Sequence, residues 1–524
     1  MTMRGTEPKG STRRAALRAG AGVAVAAGAG AVVIGSAGAA EAAADWTPGS
    51  YPATAVPDTA TLHLANRFSY GATPALIAEM KAAGGWMAWF DKQLASAYDG
   101  AATNLADWWP DLQRSPASLY QRQASSTRSG YAVMVDYVNR TMTRRLISPR
   151  PVLEVMTDFW ENHLHVPANG ELPFIWRASY GEMIRAGALG RFDDLLVAAI
   201  SHPAMQLYLN GVGSTKAHPN ENLARELLEL HTMGVGTFTE SDVKATARLL
   251  TGWIMSPTTG LLSFASERHS TGLISILGFV DDNLSTDGRV AQEKLLRYLA
   301  VQPATAQRIA RKLVVRFVRD DAPADLVARL AKVYLDNGTA IQPVIRALVA
   351  SPEFAASAGL KLRDPGEDVL ASMRLLRATV TAPTSTTSIA NLLGYGARDL
   401  GLAPLTWPAP NGAPQVNSAW ATASRASASL QLHARLVSGT YPTAGVIAPA
   451  KSWLPALPLA FRDLVDHLHR SMHLRPSTST ALQACCEATG LTPITPVSTT
   501  HPVLTTGWPA LLGALLDLPA FYQR

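Results

Sequence analysis

The stretch PNENLARELLELHTMG, residues 219–234, predicts a helix with its own start and stop signals. Asn220 is a favourable N-cap residue and Gly234 a favourable C-terminal stop, which leaves about three to four helical turns between them. On a helical wheel the leucines form one apolar face, with His231 inside that face and Glu226 at its border. Because such a face must be covered, the stretch indicates that helix packs against helix.

A second amphipathic helix is predicted over 152–165. Its apolar residues recur at the spacing of one helical face: Val152, Val155, Met156, Phe159 and Trp160. Continuing this stripe reaches His163, so we expect its imidazole to point inward. His165 lies about 200° further round an ideal helix, and the two histidines can share a ligand only if the helix has already ended. Pro167 favours an ending near this point.

The remaining chain favours an all-α fold, a large multi-helix globular assembly. Periodic helical runs occupy 308–335 and 340–350, and alternating strand patterns are scarce. We predict that the 152–165 helix packs against the 220–233 helix. We further predict a main helical domain over 45–437 that contains the candidate site. Residues 438–524 are expected to form a C-terminal helical subdomain, either separate from or continuous with the main domain.

The first 44 residues have the pattern of a twin-arginine signal peptide. Arg13 and Arg14 precede a weakly apolar run of small residues over 19–40, and Ala42-Ala43-Ala44 is a small-residue cleavage motif. Cleavage there would start the mature chain at Asp45. We therefore expect export, to the cell envelope or the exterior, by the twin-arginine route. No later stretch has the length and apolarity of a transmembrane helix.

Charge and cysteine content narrow the classes of protein further. The formal net charge is +6, and the signal segment holds five basic and two acidic residues, which leaves about +3 for the mature chain. No basic stripe is interleaved with aromatic residues, so we expect no nucleic-acid partner. The two cysteines, Cys485 and Cys486, are adjacent, which excludes a disulfide framework.

Ionisable residues on apolar helix faces mark the candidate site. An imidazole within an apolar face and a carboxylate beside it cost desolvation free energy unless a partner satisfies them. We therefore interpret His163, Glu226 and His231 as candidate metal ligands, with Glu226 and Glu229 as candidate catalytic residues. Mixed histidine and carboxylate ligands suit Zn, Fe, Mn or Cu, and the pattern does not choose among these metals. The leading hypothesis is a metal-dependent enzyme, hydrolytic or oxidative.

Two alternatives use the same residues differently. Glu226 and Glu229 are i, i+3 neighbours, and such a pair without metal could provide the acid and the base for glycan chemistry. Alternatively, the polar residues form a structural network in a non-catalytic binding or assembly protein, with Arg225 held between Glu221 and Glu229 in a charge ladder. His202 could be a ligand, but because it directly precedes Pro203 we interpret it as a residue that caps a helix or fills space. Common hydrolase, zincin, nucleotide and haem motifs are absent from the sequence.

Several motifs, in this order, resemble a known bacterial family. They are LHLANRFSYG at 62–71, Phe159-Trp160 with His163, HPAM at 202–205, NENLARELLELHTMG at 220–234, FTESDV at 238–243, LTGW at 250–253 and SPEF at 351–354. Together they resemble the family called domain of unknown function 1800 over nearly the whole mature chain. The resemblance implies a helical, exported protein and, as a partner, an exported protein of the domain of unknown function 1501 family. It implies no particular reaction.

Overall fold

The computed structural model of the protein describes residues 51–98, 105–256, 259–441 and 447–524. The predicted signal segment, residues 1–44, lies outside this part of the chain. The described residues are mostly helical, with short strands only, which confirms the predicted all-α class. Within the described ranges, no helix is both long and apolar enough to cross a membrane. The boundary proposed at residue 438 stays a prediction.

Twenty-three α-helices lie in the described part of the chain. The first twelve are α1 (Thr59–Arg67), α2 (Pro74–Ala82), α3 (Trp86–Ala95), α4 (Pro116–Ala124), α5 (Gly130–Ile147), α6 (Pro151–His163), α7 (Phe174–Gly187), α8 (Phe192–Ser201), α9 (Pro203–Tyr208), α10 (Glu221–Glu226), α11 (Glu240–Leu249) and α12 (Arg289–Ala300). The others are α13 (Pro303–Phe317), α14 (Ala324–Asp336), α15 (Ile341–Val349), α16 (Pro352–Ala355), α17 (Pro365–Leu375), α18 (Leu393–Asp399), α19 (Ala423–Val437), α20 (Phe461–Met472), α21 (Ser479–Thr489), α22 (Trp508–Leu516) and α23 (Pro519–Tyr522).

The strands form three two-stranded antiparallel sheets in the described ranges. β1 (Trp253–Met255) pairs with β2 (Leu262–Phe264), β3 (Ile274–Ile276) with β4 (Phe279–Asp281), and β5 (Leu459–Ala460) with β6 (Pro496–Val497). Trp253 lies opposite Phe264, and Ile274 opposite Asp281. The sheets are small additions to a helical body, although Ile274 and Ile276 of β3 are fully buried in the main core.

Side-chain caps explain where many of the helices begin. Thr239 and Asp242 form the predicted capping box at α11, in which each side chain accepts a hydrogen bond from the other residue's backbone N–H. Asp364 and Glu367 form a second capping box at α17. The Nδ1 atom of His202 accepts a hydrogen bond from the Ala204 N–H at 3.1 Å, so His202 caps α9 as predicted.

The core encloses α6 on nearly every side. Val152, Met156 and Trp160 have no exposed surface, and α6 packs against α3, α5 and α7. Burying such residues stabilises the fold by about 1.5–3 kcal/mol for each large side chain. The helix ends at His163, and the next residue, Leu164, is also fully buried. The end of α6 is therefore held deep inside the protein.

Two predicted helices have different boundaries from those expected. The helix predicted over 220–233 is α10 followed by a π-helical turn, Leu227–His231. The run predicted over 308–335 is split into α13, which ends at Phe317, and α14, for which Pro323 is the N-cap residue. A π turn contains about one residue more than an α-helical turn. The directions of its side chains therefore differ from those on a wheel drawn at 3.6 residues per turn.

Candidate functional site

The predicted approach of the two helices is confirmed by a pair of reciprocal hydrogen bonds. The His163 Nε2 atom lies 3.1 Å from the His231 carbonyl oxygen, and the His231 Nδ1 atom lies 3.1 Å from the His163 carbonyl oxygen. The two rings are perpendicular, with centroids 6.1 Å apart. Because a carbonyl only accepts, each ring donates one N–H to the other residue's backbone. We call this arrangement the histidine latch.

A lysine that the sequence analysis did not single out completes the latch. Lys312 Nζ on α13 lies 2.9 Å from His163 Nδ1, the nitrogen that the latch leaves without a hydrogen. Burial, reinforced by the positive charge of Arg308, lowers the pKa of Lys312 to about 7. Arg308 itself donates from Nε to the Leu230 carbonyl at 3.0 Å. Helix α13 therefore contacts both the end of α6, through Lys312, and the π turn, through Arg308.

Both histidines of the latch are uncharged at neutral pH. Burial and the nearby Lys312 hold the pKa of His163 well below its usual value. Burial and Lys312 likewise lower the pKa of His231 to about 3. His163 is 1% exposed and His231 is fully buried. Desolvation penalises the charged form of each ring, so a neutral pair is the stable state.

The ring nitrogens of the latch test whether a metal would fit between the predicted ligands. Three of the four nitrogens are engaged, two with carbonyls and one with Lys312. The fourth, His231 Nε2, is buried and has no hydrogen-bond partner in the described part of the protein. Among the described residues, no three His, Cys, Asp or Glu side chains are grouped so that they could hold a metal ion. The structure joins His163 and His231 without adding Glu226 as a third ligand, and the metal role of this set stays a prediction.

The two candidate catalytic carboxylates lie apart from the latch, on the more exposed side of the same segment. Glu226 ends α10 and Glu229 lies in the π turn, and both are half-buried. No hydrogen bond or ion pair is formed by either side chain with the residues that the structure describes. Burial and the charge of Glu229 raise the pKa of Glu226 above its ordinary value. The two glutamates therefore form a carboxylate pair, of which Glu226 holds its proton more tightly than a free side chain.

The structure differs from the predicted charge ladder along α10, in which Arg225 would pair with both Glu221 and Glu229. Arg225 donates two hydrogen bonds to the Glu240 carboxylate of α11, at 2.8 and 2.7 Å, and lies 3.9 Å from Glu221. A guanidinium binds a carboxylate best through two parallel N–H groups, and Glu240 offers that geometry. Arg225 therefore does not form an ion pair with Glu229, as the ladder would require.

The last turn of α6 and the chain that follows it form hydrogen bonds with the proline-rich segment 404–415. Asn162 accepts a hydrogen bond from the Ala413 N–H at 2.7 Å and donates one to the Ala413 carbonyl at 3.0 Å. His165 is buried, and its Nε2 atom lies 2.7 Å from the Trp407 carbonyl. Since α6 has ended at His163, the side chain of His165 does not take the direction that a continued helix would give it, and it points inward. It bonds to this segment and not to the latch.

A buried ion pair behind the latch was also missed by the sequence analysis. Glu161 accepts hydrogen bonds from Arg177 Nη1 at 2.9 Å and from the Tyr137 hydroxyl at 2.7 Å. Glu161 is 1% exposed and Arg177 is fully buried. The signal that could have identified Glu161 was its place in the apolar run of α6, where an unpaired carboxylate would be costly.

Comparison with known proteins identifies the family. Residues 63–523 match the family model described as a protein of unknown function, DUF1800. No curated protein and no solved structure matches the chain. The matched range spans α1 to α23 and includes the histidine latch and the carboxylate pair. The chain therefore belongs to the DUF1800 family.

Proposed function

We propose that the protein is a metal-free enzyme that cleaves a glycan outside the cytoplasm, with Glu226 and Glu229 as its acid and base. One observation carries the proposal: two half-buried carboxylates three residues apart have no ion-pair partner in the described residues, and burial together with the charge of Glu229 raises the pKa of Glu226. Carboxylate pairs whose environments separate their pKa values are typical of glycoside hydrolysis.

The chemistry assigns a different task to each glutamate. Glu226 holds its proton and donates it to the leaving glycosidic oxygen. Glu229, as the carboxylate, either activates the attacking water or attacks the anomeric carbon, depending on the separation of the two carboxyl groups across the bound sugar. The π turn supports this assignment, since such turns are frequent at functional sites. The histidine latch acts as a positioning element because it anchors the end of the turn that carries Glu229.

The test is hydrolysis of a panel of polysaccharides, in the presence of a chelator, by the protein and by three variants. Glu226→Gln and Glu229→Gln should each reduce the rate on the cleaved substrate by at least about a hundredfold, the usual contribution of an acid or base group. Glu221→Gln, a change of the same kind at a glutamate of α10 that lies 3.9 Å from Arg225, should leave the rate within about twofold. Equal rates for all three variants would contradict the proposal.

A second candidate function keeps the metal-dependent hypothesis, hydrolytic or oxidative. It is favoured by one observation: the buried Nε2 atom of His231 has no hydrogen-bond partner within the described ranges, and an imidazole nitrogen is a ligand that Zn, Fe, Mn and Cu bind. Elemental analysis of the protein purified from its native export route tests it directly. Stoichiometric metal would support this function and would argue against the metal-free site.

Export and partnership complete the proposal. The twin-arginine pattern supports a location in the cell envelope or outside the cell, and detection of the mature chain beginning at Asp45 in a culture fraction would test it. The family resemblance supports a complex with an exported DUF1501 protein. A non-catalytic assembly role predicts that this complex forms with equal affinity for the protein and its Glu226→Gln variant, while no polysaccharide is cleaved.

A further inference from the structure

An open cleft of about 490 Å³ lies at one end of α5, among elements that do not carry the carboxylate pair. Its walls are two 3-10 turns (Ala106–Trp108 and Pro110–Gln113), α4, the first turns of α5 and the Thr/Ser-rich segment 383–391. Cavities of this size hold small ligands when a few polar groups converge on them. The lining here combines arginine, tryptophan and hydroxyl side chains.

Three arginines of the cleft surround a single carboxylate. The Nε atoms of Arg114, Arg122 and Arg128 lie 2.6, 3.5 and 3.3 Å from the Asp111 carboxylate oxygens. Arg128 also donates to Asp136 through a terminal amino group. Among the described residues of the lining, three guanidinium groups face two carboxylates, which leaves one positive charge in excess. The cleft is therefore suited to a ligand that carries one negative charge on the part that enters it.

The excess charge is available because the terminal amino groups of two of the arginines form no hydrogen bond with the described residues. In both Arg114 and Arg122 the ion pair with Asp111 is made by Nε, and only the Arg114 Nε is hydrogen-bonded to it. Arg114 donates from Nε, and no hydrogen bond is made by its terminal amino groups within the described residues. Arg122 approaches with its Nε, which is buried, while its terminal amino groups are neither buried nor hydrogen-bonded in the described chain. The terminal amino groups of a guanidinium bind a carboxylate or phosphate through paired N–H donors. Here those donors remain open to solvent beside a preformed cavity.

A flat aromatic surface lies next to these donors. Trp108 is partly exposed in the cleft and packs on the buried Trp109, with ring centroids 5.8 Å apart. Trp109 is fixed by a hydrogen bond from Nε1 to the Asn391 side chain at 2.9 Å. An aromatic face beside a cationic fork suits a ring-shaped ligand that has an apolar C–H face and a carboxylate at its edge.

We propose that this cleft binds a uronic acid residue of an acidic saccharide, with its carboxylate on the free amino groups of Arg114 and Arg122 and its ring on Trp108. Single-stranded nucleic acid also combines stacking with charge, but its binding requires several cations along a groove, whereas this lining has an excess of one. The binding site does not depend on the proposed hydrolysis, since none of its residues belongs to the carboxylate pair.

Calorimetric titration with a galacturonate trisaccharide, a galactose trisaccharide and a short single-stranded oligonucleotide tests the proposal. The acidic trisaccharide should bind saturably, and the neutral one at least about tenfold more weakly, the effect of losing one charge-assisted contact. Arg122→Gln and Trp108→Ala should each raise the Kd for the acidic trisaccharide at least about tenfold. The control Arg346→Gln, at an exposed arginine on α15 that pairs with Asp91, should leave it unchanged.

Three outcomes would overturn the proposal: no binding of the acidic trisaccharide, equal affinity for the neutral one, or preference for the oligonucleotide. If Arg122→Gln fails to fold, as judged by its circular dichroism spectrum, Arg114→Gln replaces it in the same titration. Glu226→Gln should bind the acidic trisaccharide as the unaltered protein does. Loss of hydrolysis with retained binding would therefore separate this site from the proposed function.

Discussion

Replacing His231 by alanine should destabilise the protein by about 2–4 kcal/mol, because it opens one half of the histidine latch. The substitution removes the N–H that satisfies the His163 carbonyl at 3.1 Å, and an unsatisfied buried carbonyl costs about 1–3 kcal/mol. The reverse hydrogen bond, from His163 Nε2 to the carbonyl of residue 231, survives because alanine keeps its backbone.

Two further contributions to the change in the free energy of unfolding have opposite signs. Removing a fully buried imidazole leaves a void, and large-to-small substitutions in a core cost about 2–5 kcal/mol in total. The buried Nε2 atom has no hydrogen-bond partner among the described residues, and its removal relieves about 1 kcal/mol of desolvation cost. The loss of the hydrogen bond and the packing outweighs this relief.

Urea unfolding followed by circular dichroism measures the effect as a lower transition midpoint at constant slope. The matched control is His218→Ala, an exposed histidine of the same segment, which should change stability by less than about 0.5 kcal/mol. Equal midpoints for the His231→Ala and His218→Ala variants would refute the latch as a stabilising contact.

Three other predictions concern the buried charges. Glu161→Ala should cost about 3–5 kcal/mol in the same unfolding assay, since it leaves the Arg177 guanidinium buried without its carboxylate, and a midpoint within error of the parent would contradict this. Burial opposes the charge on His433, but the hydrogen bonds that its ring N–H groups donate to Asp368 and Asp517 outweigh burial and raise its pKa to about 9. The stability that His433 contributes should therefore be complete below pH 6.5 and decline by about 3 kcal/mol as pH rises through 9, and His433→Gln should remove this decline. At pH 7, Glu226→Gln should leave the melting temperature unchanged or higher, because the raised pKa means that folding disfavours the charged carboxylate; a clear fall would favour a structural role.

The sequence was sufficient to predict features that depend on local rules. The helical class, the cap at Asn220, the capping box of Thr239 with Asp242 and the inward direction of His163 follow from periodicity and capping chemistry alone. The contact between the helix that bears His163 and the segment that bears His231 was predicted because each has an apolar face with an imidazole in it.

Features that depend on tertiary contacts could not be predicted in this way. Lys312 lies in an amphipathic helical run, where a lysine is ordinarily exposed to solvent, and only the packing of α13 places its amine next to His163. The π turn at Leu227–His231 is maintained by long-range contacts, such as the hydrogen bond from Arg308 to Leu230, that no local pattern contains. Arg225 pairs with Glu240 because two of its N–H groups can donate to the same carboxylate. The spacing of residues along α10 does not reveal that α11 is near.

The pH dependence of kcat/KM on the cleaved polysaccharide, measured with chelator present, tests the role of Glu226 most directly. If Glu226 is the general acid, the rate should fall as pH rises through its raised pKa, since only the protonated carboxyl can donate. The Glu226→Gln variant should lose this alkaline limb together with most of its activity, while Glu221→Gln should keep both. An unchanged profile in Glu226→Gln, or activity that the chelator abolishes, would contradict the metal-free carboxylate pair.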